Sequence, residues 1–450
     1  MRRAWVHRVP AVPGLLVGAA LAALLAGISG PAVAADPAPS ASSAAPASPV
    51  ASAIPGPSSV TPIADFGPDS SRPFLAADPA RDRVYAAWTT YIDDTHVVSH
   101  LASSADGGRT FGDPIVIGWD SDVWPILRVA DDGTLIVAWT HWQTDVLLNP
   151  EDPYSNAAWG MVARSTDGGR TLSEPVLVEA DRPVEAHYYL NMAASRDGQT
   201  VSVAWFDYTP FNIPTLPQPG REAVTMWAAS SQDGGATFGA PAELTEDTCV
   251  CCMEAGVVQG GHPAFVFRHW TAGGDAGDLR NPAIITSTDQ GDTWAAPVTI
   301  HDDQFYLPVC PHVGFGAVVD RTDRLHVTWW TGAPDRAGYW YSTSPDGVAF
   351  TEPVLLAPQA VDPHENDAAV GVDDGGTVYA TTVDPGAVAA DGSSDPASSQ
   401  VTVWRIADGG APEAVMTVVG RFPQVAGMAQ GAYLTWVDAS DQLVGARVEG

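Results

Sequence analysis

Short runs of apolar residues, most of them ending in an aromatic side chain, recur along the whole chain. Apolar and polar positions alternate within and around these runs, which is typical of β-strands with one buried face. No stretch shows sustained helical periodicity, so the sequence predicts an all-β domain. The seven runs are 84–88 (VYAAW), 135–139 (LIVAW), 201–205 (VSVAW), 263–267 (PAFVF), 325–329 (LHVTW), 378–383 (VYATTV) and 433–436 (YLTW).

A second pattern, Ser-x-Asp-x-Gly-x-Thr followed by a large apolar residue, recurs between the runs. We expect the Asp and Thr side chains to hydrogen-bond the backbone of a hairpin turn, and Gly to take the positive φ. The large apolar residue should fill the gap to the next unit. Copies lie roughly 55–65 residues apart, a spacing typical of four-stranded propeller blades. They are 104–111 (SADGGRTF), 165–172 (STDGGRTL), 231–238 (SQDGGATF), 287–294 (STDQGDTW) and a shortened 344–350 (SPDGVAF).

The number of blades follows from the number of runs. One run per blade predicts seven four-stranded blades, although the last unit, 422–448, has room for only three strands. The run 60–66 precedes the first unit and has no hairpin partner. We therefore expect it to supply the outer strand of the last blade, which closes the ring and removes its open edges. Six blades with an accessory hairpin are the alternative.

The first 59 residues differ in composition from the rest. Three arginines, an apolar run at 15–25 and Ala-Val-Ala at 32–34 predict a secretory signal peptide over residues 1–34, with a retained membrane anchor as the alternative. Residues 35–59 are almost entirely Ala, Pro and Ser, which predicts a disordered linker. We therefore expect residues 60–450 to form an extracellular propeller, free or associated with the cell envelope.

The charge of the chain limits its partners. The protein has 53 acidic residues and 21 basic ones, all of them arginine, and a formal net charge of -32. This charge repels nucleic acid and anionic membranes, so we expect neither nucleic-acid binding nor membrane insertion after signal cleavage. We expect a monomer, and an anionic substrate would need a local cluster of arginines.

Unusual residues recur where each blade should begin. In a propeller, the start of each first strand faces the central channel, on the side away from the Asp-Gly turns. Polar, aromatic and sulfur-containing side chains occupy these positions, which apolar residues could fill equally well. This makes the channel mouth the candidate site. The positions are Arg72, Trp124, 185–189 (EAHYY), 251–254 (CCME), 310–312 (CPH), 364–366 (HEN) and 422–423 (FP).

The repeated Asp-Gly turn is identified as the Asp-box, or BNR repeat, and residues 60–450 resemble the sialidase-type β-propeller superfamily. The Cys-x-Cys-Cys and Cys-Pro-His motifs also resemble those of secreted bacterial sialidase-like proteins. The resemblance implies binding of a carboxylated sugar at the channel mouth, or its release by exo-α-sialidase-type hydrolysis. It implies an extracellular glycan or glycoprotein as the partner and no cofactor.

The resemblance also implies roles for individual residues. Sialidases hold the substrate carboxylate with three arginines, because guanidinium groups bind carboxylates in a bidentate manner. The matching positions are Arg72, Arg268 and Arg336. The matching catalytic carboxylates are Glu254 and, as the acid/base, Asp93 or Asp94.

One expected residue is absent from its family position. The sialidase nucleophile is a tyrosine that opens the sixth blade, but the corresponding segment here, 364–367, is HEND. Tyr188 or Tyr189 could approach from the third blade, for which the family offers no parallel. A propeller that binds a glycan or a protein without catalysis is therefore the alternative. The other expected substrate contacts are His187, Tyr188, His312, His364 and Glu365.

The four cysteines, Cys249, Cys251, Cys252 and Cys310, favour two disulfides in an exported protein. Of the three possible pairings, Cys249–Cys252 with Cys251–Cys310 avoids a strained bond between adjacent residues. The other hypothesis for this region is a transition-metal site. Copper or zinc could be bound by sulfur and imidazole groups converging at the mouth, although the spacing matches no standard zinc pattern. Its ligands would be His187, Met253, His312 and His364, with or without the thiolates.

Overall fold

Antiparallel four-stranded meanders account for nearly all regular structure in this computed structural model. The predicted signal peptide and most of the predicted linker lie outside the described residues. The structure describes residues 54–67, 70–93, 96–151, 155–179, 185–212, 223–249, 252, 254–273, 277–307, 313–363, 367–386, 397–407 and 410–450.

The first half of the chain forms β1 and three meanders. The strand β1 (Thr61–Asp65), which belongs to none of these three meanders, comes first. The first meander contains β2 (Ser70–Asp78), a 3-10 helix (Pro79–Arg81), β3 (Arg83–Tyr91), β4 (Val97–Ser104) and β5 (Ile115–Ile117). The second contains β6 (Asp122–Val129), β7 (Leu135–Leu147), β8 (Asn156–Ser165) and β9 (Val176–Leu177). The third contains β10 (His187–Ala194), β11 (Val201–Asp207), a short helix α1 (Thr209–Asn212), β12 (Ala223–Ser231) and β13 (Ala242–Cys249).

The second half continues the same pattern. The next meander contains β14 (Ala255–Gln259), β15 (His262–Thr271), β16 (Asp278–Thr286) and β17 (Val298–Thr299), with β18 (Tyr306–Leu307) also paired to β16. It is followed by β19 (Gly316–Val319), β20 (Leu325–Thr331), β21 (Gly338–Ser344) and β22 (Val354–Pro358). The next group is β23 (Val370–Val372), β24 (Val378–Asp384), β25 (Gln400–Ile406) and β26 (Glu413–Val419). The last strands are β27 (Arg421–Gly427), β28 (Ala432–Val437) and β29 (Gln442–Val448).

The meanders are arranged in a circle. The inner strands β2, β6, β10, β14, β19, β23 and β27 each contact the next in this order, and β27 contacts β2. A ring of antiparallel meanders around a central axis is the architecture of a β-propeller. The ring brings residues that are far apart in sequence to a common axial cavity, and the candidate site is described around that cavity below.

The second strand of each meander carries the most buried side chains. All seven apolar runs predicted as strands lie within β3, β7, β11, β15, β20, β24 and β28, so this prediction is confirmed. Trp139, Trp205 and Trp329 are fully buried between neighbouring meanders. A buried tryptophan at this position contributes several kcal/mol, since Trp→Ala core substitutions cost about 3–5 kcal/mol.

The strand β1 pairs with β29, the last strand of the chain. Their antiparallel register aligns Thr61 with Gly445, and the sheet order is β1-β29-β28-β27. Ile63 and Phe66 are buried in a cluster that also contains Leu443, so this pairing is supported by side-chain packing. The outer edge of this sheet is therefore formed by a segment that precedes the first meander.

The Asp-Gly turns connect the third and fourth strands of their meanders. Asp106 accepts hydrogen bonds from the Thr110 hydroxyl (2.7 Å) and backbone N–H (2.9 Å), and from the Arg109 N–H (3.0 Å). Asp167, Asp233 and Asp289 accept the corresponding bonds from Thr171, Thr237 and Thr293. Gly108 adopts φ 83° and lies against the ring of Tyr433, so this turn needs glycine for both conformation and space.

The side chain that follows the first turn packs on the preceding meander, not on the next one as expected. The rings of Phe111 and Tyr433 have centroids 6.2 Å apart, and Tyr433 lies on β28. Its hydroxyl also donates a hydrogen bond to the Gly108 carbonyl. The turn therefore ties the first meander to the last one across the closing point of the ring.

We expect Asp106→Ala to lower the free energy of unfolding by about 1 kcal/mol, since several hydrogen bonds of an exposed turn are lost together. The bond from Thr110 holds the pKa of Asp106 at about 2, so this stabilisation is present above pH 3.8 and lost as the pH falls through about 2. Urea unfolding at neutral pH measures the effect. Asp113→Ala, in the same exposed loop, is the matched control and should leave stability unchanged.

No helix formed by the described residues is long and apolar enough to cross a membrane.

Candidate functional site

An axial cavity of about 370 Å³ runs between the inner strands. Most of its wall is apolar or backbone. Charged side chains occur at both ends: Glu254 and Asp367 precede inner strands, whereas others follow them, and Arg128 lies on β6. The charged residues that follow inner strands are Asp131, Arg196, Arg321, Asp373 and Asp374. The polar residues discussed below that line the cavity are Arg128, Asn191, Glu254 and Asp367.

Glu254 immediately precedes β14 and lines the cavity. The residue is 1% exposed, and neither carboxylate oxygen has a hydrogen-bond partner in the part of the chain that the structure describes. Burial raises the pKa of Glu254 well above its ordinary value of 4.5. Burial therefore favours the protonated form of this carboxyl group, which is the form that a general acid requires.

Asn191 on β10 fixes the backbone around Glu254. Its side-chain amide donates a hydrogen bond to the Glu254 carbonyl, and its Oδ1 accepts the Gly256 N–H at 3.0 Å. Gly256 has room only for hydrogen, because a Cβ would lie 2.6 Å from the Met192 backbone. The position of Glu254 is therefore set by close contact between two inner strands.

Arg72 on β2 forms an ion pair with Asp367. Its Nη1 lies 2.7 and 2.6 Å from the two carboxylate oxygens, and each side chain is 11% exposed. Asp367 also accepts the Gly314 N–H at 2.7 Å. Asp367 lines the cavity, so the ion pair places one predicted arginine beside it. A substrate carboxylate would have to compete with Asp367 for this guanidinium group.

Arg268 on β15 is almost fully buried. Its Nη1 donates to the Arg280 carbonyl at 3.2 Å and its Nη2 to the Trp330 carbonyl at 3.0 Å. The guanidinium group lies 5.6 Å from the ring centroid of Phe305 and 5.1 Å from that of Phe315, which lines the cavity. Arg268 therefore lies behind the cavity wall, and the ring of Phe315 lies between its guanidinium group and the cavity.

Arg336 lies elsewhere. Its Nη1 is 2.7 Å from His301 Nδ1, its Nε is 3.4 Å from Asp303 Oδ1, and its guanidinium group stacks 4.1 Å above the ring of Trp340. None of these partners lines the cavity among the described residues. Arg72 therefore lies beside the cavity through its partner Asp367, Arg268 lies behind the cavity wall, and Arg336 belongs to a separate cluster.

His187 is held between two glutamates. Its Nδ1 is 2.7 Å from Glu179 and its Nε2 is 2.9 Å from Glu185. Burial alone would lower the pKa of His187, but the two hydrogen bonds raise it to about 9. Both ring nitrogens are therefore occupied, and neither is available to a metal or a substrate in this conformation.

Three aromatic residues at the starts of inner strands have an unusual backbone conformation. Trp124, Tyr189 and Phe422 each have φ 54°, at points where the strand register shifts. This left-handed region costs a bulky residue about 1–3 kcal/mol. The rings of Trp124 and Tyr189 stack with centroids 5.4 Å apart, and both residues are half-buried.

Tyr188 and Asp93 do not line the cavity among the described residues. The Tyr188 hydroxyl donates to the Asn156 carbonyl at 2.7 Å, and its ring meets Tyr208 edge-on. Asp93 lies in an exposed turn, 2.8 Å from His96 Nδ1. The other predicted site residues, Asp94, His312, His364 and Glu365, lie outside the described residues.

The cysteines can be placed only in part. The Sγ atoms of Cys249 and Cys252 lie 3.4 Å apart in a buried setting beside Arg268. Burial and the Cys249 contact raise the pKa of the Cys252 thiol, and the charge of Arg268 partly offsets this effect. Cys251 and Cys310 lie outside the described residues, so the Cys249–Cys252 and Cys251–Cys310 pairing stays a prediction.

Within the described ranges, no group of three or more His, Cys, Asp or Glu side chains is arranged to hold a metal ion. Three of the four predicted ligands, Met253, His312 and His364, lie outside those ranges. A metal site at the mouth therefore remains a hypothesis.

Three residues of the cavity were not predicted from the sequence. Asp367 follows the predicted HEN segment directly, and its role as the partner of Arg72 depends on the ring bringing β2 close to it. Asn191 lies within an inner strand, where a polar residue among apolar ones was a usable signal. Arg128 gives the same signal, because it is a charged residue in the apolar segment 126–129 (ILRV).

No family model and no curated protein matches this sequence. Among solved structures, a protein of unknown function from Dyadobacter fermentans has 15% identity, with 88% of this chain and 100% of that chain covered and a TM-score of 0.49. The Hadza microbial sialidase Hz136 has 14% identity, 78% and 73% coverage and a TM-score of 0.46. The Penicillium chrysogenum α-L-arabinanase has 15% identity, 78% and 98% coverage and a TM-score of 0.47. At these values, the similarities assign no activity to this chain.

Proposed function

We propose that this protein is a secreted, sialidase-like Asp-box propeller that acts on or binds a carboxylated sugar at the mouth of the axial cavity. The ring is proposed to have seven blades, with β1 as the outer strand of the last one. The observation that carries the proposal is Glu254, a buried carboxyl group that lines the cavity and has no partner in the described chain. Arg72 lies beside the same cavity and Arg268 behind its wall.

The chemistry follows from these three groups. A protonated Glu254 can donate a proton to a leaving sugar oxygen, as a general acid does. The guanidinium groups of Arg72 and Arg268 can attract a sugar carboxylate against the negative charge of the protein. Binding through Arg72 would require the carboxylate to share or replace Asp367, so the ion pair would open when substrate binds.

Binding without catalysis is the second candidate function. Arg72 and Arg268 already have partners within the protein, and Glu254 forms no hydrogen bond with a tyrosine hydroxyl in the described chain. A sialidase-type mechanism needs such a tyrosine as its nucleophile. These observations favour a lectin-like propeller if no turnover is found.

The copper or zinc hypothesis would be tested separately by elemental analysis of the purified protein.

The test is turnover of a fluorogenic sialoside by the purified protein, together with glycan-array binding. For an enzyme, we expect turnover that falls by two orders of magnitude or more in Arg72→Ala, because the carboxylate loses a charged partner. Arg336→Ala is the matched control and should retain activity, because Arg336 does not border the cavity. Array binding without turnover would establish the second candidate. If the protein neither binds nor hydrolyses any of the acidic sugars tested, the proposal is refuted.

A further inference from the structure

An aspartate–histidine pair lies at the end of the second meander where its inner strand begins. Asp122 is the first residue of β6 and lies opposite His141 on β7, and His141 lies opposite Trp159 on β8. Side chains that are aligned in this way lie next to one another on one face of a sheet. None of the three lines the axial cavity, so they belong to a different part of the surface.

The pair orients the imidazole ring of His141. Its Nδ1 lies 2.6 Å from a carboxylate oxygen of Asp122, whose side chain is fully buried. A carboxylate in this position holds the ring and leaves the other nitrogen to interact with a ligand. The Nε2 atom of His141 has no hydrogen-bond partner among the described residues, and the side chain is 20% exposed. His141 therefore presents a positioned polar atom at the surface.

The loop before β6 is folded closely around the same carboxylate. The backbone N–H of Trp119 donates a hydrogen bond to Asp122 Oδ2. Gly118 has φ 64°, and a Cβ at this position would lie 1.9 Å from Asp122 Oδ2. Ser121 is buried and has φ 82°, which is unusual for a residue other than glycine. Such strained conformations persist where the surrounding structure holds them, and they are frequent at ligand sites.

Trp119 extends from this loop into solvent beside His141. Its side chain is 50% exposed, and its ring meets that of His141 at 75° with centroids 5.6 Å apart. In a T-shaped contact, at most one of the two faces of the indole is covered by the imidazole. The ring of the half-buried Trp159 also lies beside His141, with centroids 6.4 Å apart. A single exposed tryptophan needs no explanation, but aromatic surface around one oriented polar atom is typical of small-molecule sites.

The local charge limits the ligand. Asp120 is exposed next to Trp119, and the whole chain carries a net charge of -32, so an anionic ligand is disfavoured. A neutral sugar unit has an apolar C–H surface that can pack on an indole. It also has hydroxyl groups that can either donate or accept a hydrogen bond, so they suit His141 Nε2 in either protonation state.

We propose that Trp119 and His141 form a binding site for a neutral sugar unit, separate from the axial cavity. Trp119 packs against the ring of the sugar, and His141 Nε2 forms a hydrogen bond with one of its hydroxyl groups. Asp122 is a positioning residue, because it holds both the imidazole and the loop that carries Trp119. This inference does not depend on Glu254 or on the proposed site for a carboxylated sugar.

The first test is saturation-transfer NMR and calorimetry with four neutral disaccharides, namely lactose, cellobiose, maltose and mannobiose. We expect the wild-type protein to bind at least one of them, with a dissociation constant that rises about tenfold or more in Trp119→Ala. This variant should fold normally, because the bond to Asp122 comes from the backbone. Tyr306→Ala, which removes an exposed tyrosine of β18, is the matched control and should bind like wild type. Wild-type protein that binds none of the four, or equal binding by Trp119→Ala, would overturn the proposal.

The second test is a crystal structure of the wild-type protein with the disaccharide that binds. We expect a sugar hydroxyl at hydrogen-bond distance from His141 Nε2 and the sugar ring on Trp119. A disaccharide found only in the axial cavity would overturn this proposal and leave the proposed function standing. His141→Phe keeps a flat ring without Nε2 and should also weaken binding about tenfold. If this variant does not fold, because Asp122 loses its partner, Trp119→Ala and the crystal structure decide the question.

Discussion

A chain that begins at Ser70 is expected to lose its cooperative unfolding transition, whereas one that begins at Ile54 should keep it. The shorter chain lacks β1 and leaves the outer edge of β29 without a partner. Burying Ile63 and Phe66 contributes about 1.5–3 kcal/mol each, and the backbone pairing adds to this. The total is comparable with the entire stability of a typical domain.

Circular dichroism during heating and size-exclusion chromatography measure this effect. We expect the chain from Ser70 to aggregate, because an open strand edge can pair with other molecules. Phe66→Ala in the full chain is the milder variant and should cost about 3–5 kcal/mol. Equal unfolding midpoints for the chains from Ile54 and Ser70 would show that β1 has no part in closing the ring.

Glu254→Gln is expected to have two separable effects. If the protein hydrolyses a sialoside, the rate should fall by about 10²–10⁴-fold, since glutamine cannot donate the proton. The second effect concerns stability and does not require activity. The folded-state pKa of Glu254 is raised above 4.5, so its contribution is most favourable below pH 4.5 and is lost as the pH rises toward the folded-state value.

Glutamine keeps the shape and never ionises, so the variant should become more stable relative to wild type as the pH rises from 4 to 8. Urea unfolding across this range measures the difference. Glu243→Gln changes an exposed carboxylate and is the matched control, with no pH-dependent difference expected. A constant difference between Glu254→Gln and wild type at all pH values would mean that Glu254 ionises normally.

The strands and turns could be predicted because their causes are local. The alternation in 84–88 or 325–329 reflects one face packed against a neighbouring meander, and each such run is found in a strand. The Asp106 turn depends on hydrogen bonds among seven consecutive residues. The prediction for Phe111 was wrong, because the ring packs on the preceding meander. That direction depends on the order of the meanders around the ring, which the sequence of a single turn does not contain.

The site was less predictable, because it depends on contacts between distant segments. The resemblance to sialidases implied that Arg336 would lie with Arg72 and Arg268, but its guanidinium group stacks on Trp340 beside His301. Nothing in the local sequence distinguishes these two directions. Arg128 was overlooked, although a charged residue in the apolar segment 126–129 was a usable signal.

The pairing of β1 with β29 also constrains the order of folding. Thr61 lies opposite Gly445, so this contact cannot form until almost the whole chain has been synthesised. Contacts between such distant residues form slowly, because the intervening chain must first be brought into place. The early meanders can assemble as they emerge, while the last sheet waits for its outer strand. A nascent chain should therefore remain a target for chaperones and proteases until its final strands appear.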